Sequence, residues 1–248
     1  EWGMICVILA AGYATRLYPL TEHFPKPLLQ VGGKTILDWL TEDLESTGEV
    51  REYVVVTNHR FAEHFRQWAA EKPFAVTVLD DGSTCDANRL GAVRDIQFAL
   101  EQRGIGEETL VAAGDNLLDF SLGRFVEYAR AHGAPCVMRT WQADLEKLKK
   151  TGVARVDEDG RVVHMEEKPP HPADHWCLPP FYYYPPQALA LIPRAIAEGC
   201  PVDAPGSLVA WMCQRTPVYA MEMPGRRYDV GTLETYRQVQ NTYRGIVK

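Results

Sequence analysis

The sequence predicts an α/β fold: a mostly parallel central sheet covered by helices, with an antiparallel-rich second half. Three observations predict it. Short, continuously apolar runs such as MICVIL at 4–9 alternate with stretches of helical apolar spacing. After Pro135 the punctuation changes to hairpin-like pairs around polar turns. The 248-residue chain is 46% hydrophobic and 24% charged, long enough to bury a sizeable core.

The elements follow in order. Residues 4–9 read as a strand buried on both faces. Residues 36–44 carry helical spacing, stopped at Gly48. Residues 53–56 form the next strand, with helices expected near 61–70 and 91–102. A buried strand at 109–113 precedes a helix at 122–132. Residues 153–156 and 162–165 flank the turn Asp157-Glu158-Asp159-Gly160, a hairpin signal. The run FYYYP at 181–185 reads as half-buried strand, and helices are expected at 187–198, 206–214 and 232–243.

Composition narrows the function classes. The net charge is −7 and there is no dense basic block, which argues against a duplex nucleic-acid binder. LEKLKK at 145–150 is better read as a solvated helix face. The six scattered cysteines form no CxxC pair, so a zinc ribbon or redox motif is unsupported and a reducing compartment is expected. No run approaches the roughly 20 apolar residues of a membrane span. No secretory leader pattern opens the chain. The expected location is the cytoplasm, without membrane contact.

The stretch LAAGYATRLYPLTEHFPKPLL, residues 9–29, leaves the first buried strand. Ligands bind beyond the carboxyl ends of strands in open parallel sheets. Gly12 allows close backbone approach, and the backbone N–H groups of such a turn can cradle phosphate oxygens. Arg16 offers a planar fork of donors, and Lys26 is a point charge held between two prolines. From these residues alone, a polyphosphate site and a surface loop with incidental charges are equally good readings.

The same run resembles the signature of the sugar-1-phosphate nucleotidylyltransferases, glucose-1-phosphate thymidylyltransferase-like, with Ala14 where that family usually has glycine. An alanine there is compatible with a negative φ. Further on, VAAGDN supplies Asp115, EEKP supplies Glu167 and Lys168, TGVARV supplies Gly152, and YDVGT supplies Asp229, in the family's order. The resemblance spans essentially the whole chain. It implies a Rossmann-like, GT-A-like three-layer sandwich. The chain 1–248 would form one nucleotidyltransferase domain, its nucleotide-binding half at about 4–134 and its acceptor-binding half at about 135–248. No left-handed β-helix is expected after residue 248.

The implied reaction joins an NTP to a sugar 1-phosphate, giving NDP-sugar and pyrophosphate. The resemblance assigns Arg16 and Lys26 to catalysis. It assigns Leu9, Ala11, Gly12, Tyr13, Ala14 and Thr15 to the nucleotide, and Asp115 and Asp229 to Mg²⁺. Gly152, Glu167 and Lys168 would bind the acceptor. Two regions depart from the family pattern. The base-reading turn is replaced by DDGSTCDANRLGAV at 80–93, where Asn88 and Gly91 are the candidates. The usual Gly-x-Tyr reads Pro179-Pro180-Phe181-Tyr182, leaving Tyr182 for the acceptor and an altered sugar-side motif. Two alternatives therefore stand: a cytidylyltransferase for a non-sugar phosphate such as phosphocholine, and a catalytically silent nucleotide-sugar-binding regulator. The base, the acceptor and any homo-oligomeric state are left open.

Overall fold

The computed structural model describes residues 2–247. The chain packs as two compact units. The first draws on Glu1–Arg89, Ala113–Gly123 and Pro224–Lys248, the second on Leu90–Ala112 and Arg124–Met223.

In the first unit, three strands lie parallel: Met4–Ala10 and Val50–Thr57, which follow the apolar runs, and Val76–Asp80. Met4 to Ile8 are at most 1% exposed, as a strand covered on both faces requires. Helix Ile36–Thr47 starts at a capping box: the Thr35 hydroxyl accepts from Asp38 N while Asp38 accepts from Thr35 N. It stops at Gly48, whose φ of 69° only glycine adopts cheaply. Helix Leu233–Thr242 begins at a second capping box, Thr232 with Thr235. Its buried Tyr236 and Val239 pack with Leu17, Leu29, Leu117 and Val230. That cluster clamps the loop after the first strand onto the unit's core.

The second unit is the antiparallel part. Val162–Glu167 pairs with Gly152–Val156, which pairs with Trp176–Leu178, which pairs with Cys136–Trp141. Phe181–Tyr184 lies antiparallel to both Cys136–Trp141 and Thr109–Ala113, and Tyr219–Glu222 joins Cys136–Trp141 in parallel. The hairpin turn is held by Asp157, whose Oδ1 accepts from Asp159 N and Arg161 N. Helices Ala92–Arg103 and Gly206–Met212 belong here.

The α/β class stands, and three particulars differ from expectation. Strands Val76–Asp80, Cys136–Trp141, Trp176–Leu178 and Tyr219–Glu222 were not signalled, being short or mixed in polarity. The helix expected at 187–198 is two, Pro186–Leu189 and Ile192–Ala197. All four residues of Phe181–Tyr184 are buried rather than alternating, so both faces of this strand are covered. Among the described residues no helix is long and apolar enough to cross a membrane.

Candidate active site

The first unit gathers the predicted phosphate and metal residues. The strand Met4–Ala10 runs out into Ala11, whose carbonyl accepts from the fully buried Asn58 Nδ2 at 3.1 Å. Ala14 then takes φ 49° and ψ 48°, the left-handed region, which corrects the negative φ expected of an alanine here. The reason lies in its carbonyl, which accepts from the Thr21 hydroxyl at 2.7 Å and from Leu17 N at 2.9 Å. Those two bonds offset a local cost of about 1–2 kcal/mol. The kink starts the short helix Thr15–Leu17, which carries Arg16 while burying Leu17. Tyr13 is buried against Phe61, so its ring serves packing.

Lys26 opens a second one-turn helix, Lys26–Leu28, after Pro25. Its side chain is only 13% exposed, and Nζ lies 3.0 Å from Asp115 Oδ2. Asp115 is in the turn between strands Thr109–Ala113 and Leu117–Leu118, so it caps no helix. Asn116 Nδ2 donates to Asp115 Oδ1 at 3.0 Å, and Arg227 Nη1 donates to Asn116 Oδ1 at 2.9 Å. Desolvation works against the Asp115 carboxylate, but the Lys26 charge and hydrogen bond, with Arg227 further off, outweigh it and hold its pKa below the usual range. The carboxylate thus stays ionised. Gly114 makes this placement possible: a Cβ there would stand 2.9 Å from Ile8 Cγ2.

Asp229 arrives by a two-residue ladder. Arg227 and Tyr228 pair antiparallel with Leu118 and Leu117, so the next step in register brings Asp229 level with Asn116. Gly231 closes the cluster. A Cβ on it would meet Asp229 Oδ2 at 3.0 Å and Arg16 Nη2 at 3.3 Å. The carboxylate and the guanidinium therefore converge on one side-chain-sized space. Arg16, Lys26, Asp115 and Asp229, scattered along the sequence, share this unit.

Asn88 does not present a free amide. Its Oδ1 accepts from Thr84 N and Cys85 N, and its Nδ2 donates to the Thr84 hydroxyl at 2.8 Å. In the second unit, Gly91 has φ 90° and touches backbone, since a Cβ there would stand 2.4 Å from the Val202 carbonyl oxygen. In this conformation both residues shape their loops.

The predicted acceptor residues lie in the second unit. Gly152 and Glu167 are paired across the hairpin. Lys168 follows in the left-handed region with φ 49°, fixed by its N–H donating to the Thr151 carbonyl at 3.0 Å. Glu167 and Lys168 line a cavity of about 610 Å³, with Pro169, Pro201, Ser207 and Trp211 among its walls. Burial pushes the Glu167 carboxyl above its usual pKa, and Lys168 partly opposes this. Tyr182 does not wall this cavity. It is 3% exposed, within the sheet, and stacks on Tyr184.

Sequence reasoning missed Asn116 and Arg227, which orient Asp115, and Gly206, which abuts Glu167. The signal was adjacency: Asn116 follows Asp115, and Arg227 stands two residues before Asp229.

Comparison with known proteins places the chain in a family. A family model described as nucleotidyl transferase matches residues 5–245. A glucose-1-phosphate thymidylyltransferase of Mycolicibacterium smegmatis is 32% identical over 190 residues, covering 72% of this chain and 60% of the relative. A glucose-1-phosphate adenylyltransferase of Fervidobacterium nodosum is 26% identical, covering 94% and 60%. The chain thus spans about three fifths of the length of these curated relatives. A solved UDP-glucose pyrophosphorylase in complex with UDP-glucose superposes with a TM-score of 0.81 at 21% identity, covering 97% of this chain and 98% of that one.

Proposed function

This chain belongs to the nucleotidyl transferase family, and we propose that it transfers a nucleotidyl group from an NTP to a sugar 1-phosphate, giving NDP-sugar and pyrophosphate. One observation carries the proposal. Arg16, Lys26, Asp115 and Asp229 come from three distant stretches of sequence and lie in one unit, Lys26 3.0 Å from Asp115 and Arg16 facing the same small space as Asp229. A silent nucleotide-sugar regulator need not keep all four of these residues. Nothing in either cluster favours a non-sugar phosphate over a sugar 1-phosphate.

In the proposed reaction an oxygen of the acceptor phosphate attacks the α-phosphorus, and the bond to the pyrophosphate oxygen breaks. The attacking group is already ionised, so no general base is required. The demand is alignment and neutralisation of two anions. Arg16 holds the β- and γ-phosphates and the departing pyrophosphate. Lys26 neutralises charge growing at the α-phosphate. The turn from Leu9 through Ala11, Gly12 and Ala14 to Thr15 offers its backbone to the nucleotide. Lys168 binds the acceptor phosphate, and Glu167 and Gly152 meet the sugar.

We assign the divalent cation to Mg²⁺, held by Asp115 and Asp229. The donor set fits: one carboxylate kept ionised by its neighbours, and a second beside Arg16. Mg²⁺ binds through one or two carboxylates plus substrate phosphates and keeps several waters. Bound there, it would supply charge stabilisation to the phosphates. The test is pyrophosphate release by the purified chain across each NTP with a panel of sugar 1-phosphates, with Mg²⁺ and with chelator. No release from any pair would overturn the proposal.

A further inference from the structure

The Glu167 carboxylate is wedged between two glycines. A Cβ on Gly206 would stand 2.1 Å from Glu167 Oε2 and 2.9 Å from Met165 Cε. A Cβ on Gly152, its partner across the hairpin, would stand 2.9 Å from the same oxygen and 2.6 Å from the same methyl. Among the described residues no donor hydrogen-bonds this carboxylate, although it is partly buried and lines the cavity. A partly buried carboxylate that has the Lys168 charge nearby but no hydrogen-bond donor is a place where a ligand can supply one.

Gly206 is the first residue of helix Gly206–Met212 and does not have a positive φ. Backbone conformation therefore gives no reason for glycine there, and alanine is the better helix former. What glycine provides is clearance. The atoms an added methyl would meet are the tips of two flexible side chains, Glu167 and Met165, and these can move without unfolding the unit.

We infer that Gly206 is a specificity-determining positioning residue: its missing side chain is the space that seats the Glu167 carboxylate against the acceptor. The inference rests on the cavity being the acceptor site. Gly206→Ala should push the carboxylate out of its slot, leave the nucleotide half-reaction alone and degrade acceptor recognition.

The experiment is a double-mutant cycle of Gly206→Ala and Glu167→Ala, with steady-state constants for each substrate. Gly206→Ala should raise the acceptor KM about tenfold or more, the scale of one charged hydrogen bond. The NTP KM should stay within about twofold. In the Glu167→Ala background, where the carboxylate is gone and only the movable Met165 methyl is left near the added group, the substitution should have no further effect on acceptor KM. An unchanged acceptor KM, equal losses for both substrates, or an effect undiminished without Glu167 would each overturn the inference. The ¹³C carboxyl resonance of Glu167 needs no turnover and separates this result from failure of the transferase reading. If the parent releases no pyrophosphate with any pair, that reading fails. An unshifted Glu167 resonance in Gly206→Ala then overturns the clearance as well.

Discussion

Lys26 Nζ lies 3.0 Å from Asp115 Oδ2, so the cation proposed to act on phosphate and the carboxylate proposed to hold metal neutralise each other. Asn116 takes the other carboxylate oxygen and is itself held by Arg227. The chain of contacts fixes both oxygens of Asp115 in direction. Electrostatic groups preset in this way need little rearrangement when charge develops nearby.

Lys26→Ala should lower kcat by on the order of 10²–10³ while changing the NTP KM little, since a preset cation acts on transition-state charge. Steady-state kinetics with saturating acceptor decide it. A raised KM at unchanged kcat would make Lys26 a ground-state binding residue.

Asp115→Ala and Asp229→Ala should each abolish divalent-cation-dependent turnover while the far-ultraviolet circular dichroism stays that of the parent. Arg227→Ala should keep the fold and weaken activity less than either, because its hydrogen bond reaches Asp115 only through Asn116 and its charge acts from further off. Activity equal to the parent's in Asp115→Ala or Asp229→Ala removes that residue from the metal site.

Lys168→Met deletes a charge and keeps much of the stem. Acceptor affinity should fall by roughly 1.5–3 kcal/mol, the usual worth of a charged hydrogen bond. Titration calorimetry with a non-reactive NTP analogue should show unchanged nucleotide binding. Loss of NTP binding with acceptor binding intact would mean the two substrates have been assigned to the wrong clusters.

Ala14→Gly tests the backbone. Alanine at φ 49° costs about 1–2 kcal/mol, and glycine's looser unfolded chain cancels about 0.4–1 of that. A net gain of about 0.5–1 kcal/mol should raise Tm by ~1–4 °C. A lower Tm in calorimetry would show that the left-handed turn carries no strain.

Acid should weaken the first unit through Asp38. Desolvation pushes its pKa up, but bonds from Lys72 Nζ at 2.6 Å, Trp68 Nε1 at 2.9 Å and Thr35 N outweigh it, so the folded value lies below the usual carboxylate range. For a depressed carboxyl the stabilisation is fully present above the unfolded pKa of about 3.9 and is lost as pH falls through the folded value. The stability gap between parent and Asp38→Asn, read from urea midpoints, should shrink as pH drops from about 5 to below about 3. A gap constant across that range would rule the mechanism out.

The sequence made the strong-period elements legible. Met4–Ala10 and Thr109–Ala113 show as unbroken apolar runs, and Gly48 and the Asp157–Gly160 turn are local chemistry. Trp176–Leu178 could not be read, since its three residues become a strand only by lying between two others. The candidate site residues were named by their motifs. Their partners were hidden: nothing local ties Arg227 to Asn116, 111 positions away. Ala14 was misjudged because the bond that bends it comes from Thr21, seven residues on.

Gly114 leaves the candidate metal carboxylate one van der Waals layer from the interior, with Ile8 Cγ2 where a side chain on residue 114 would begin and Pro27 Cγ close behind. The first strand is therefore a datum for the chemistry as well as a core element. Ile8→Val trims the interior modestly, and the turn bearing Asp115 can settle toward the gap. In this chain a buried aliphatic residue of the first strand helps set where the Asp115 turn sits, so Ile8→Val should be felt in rate as well as in Tm.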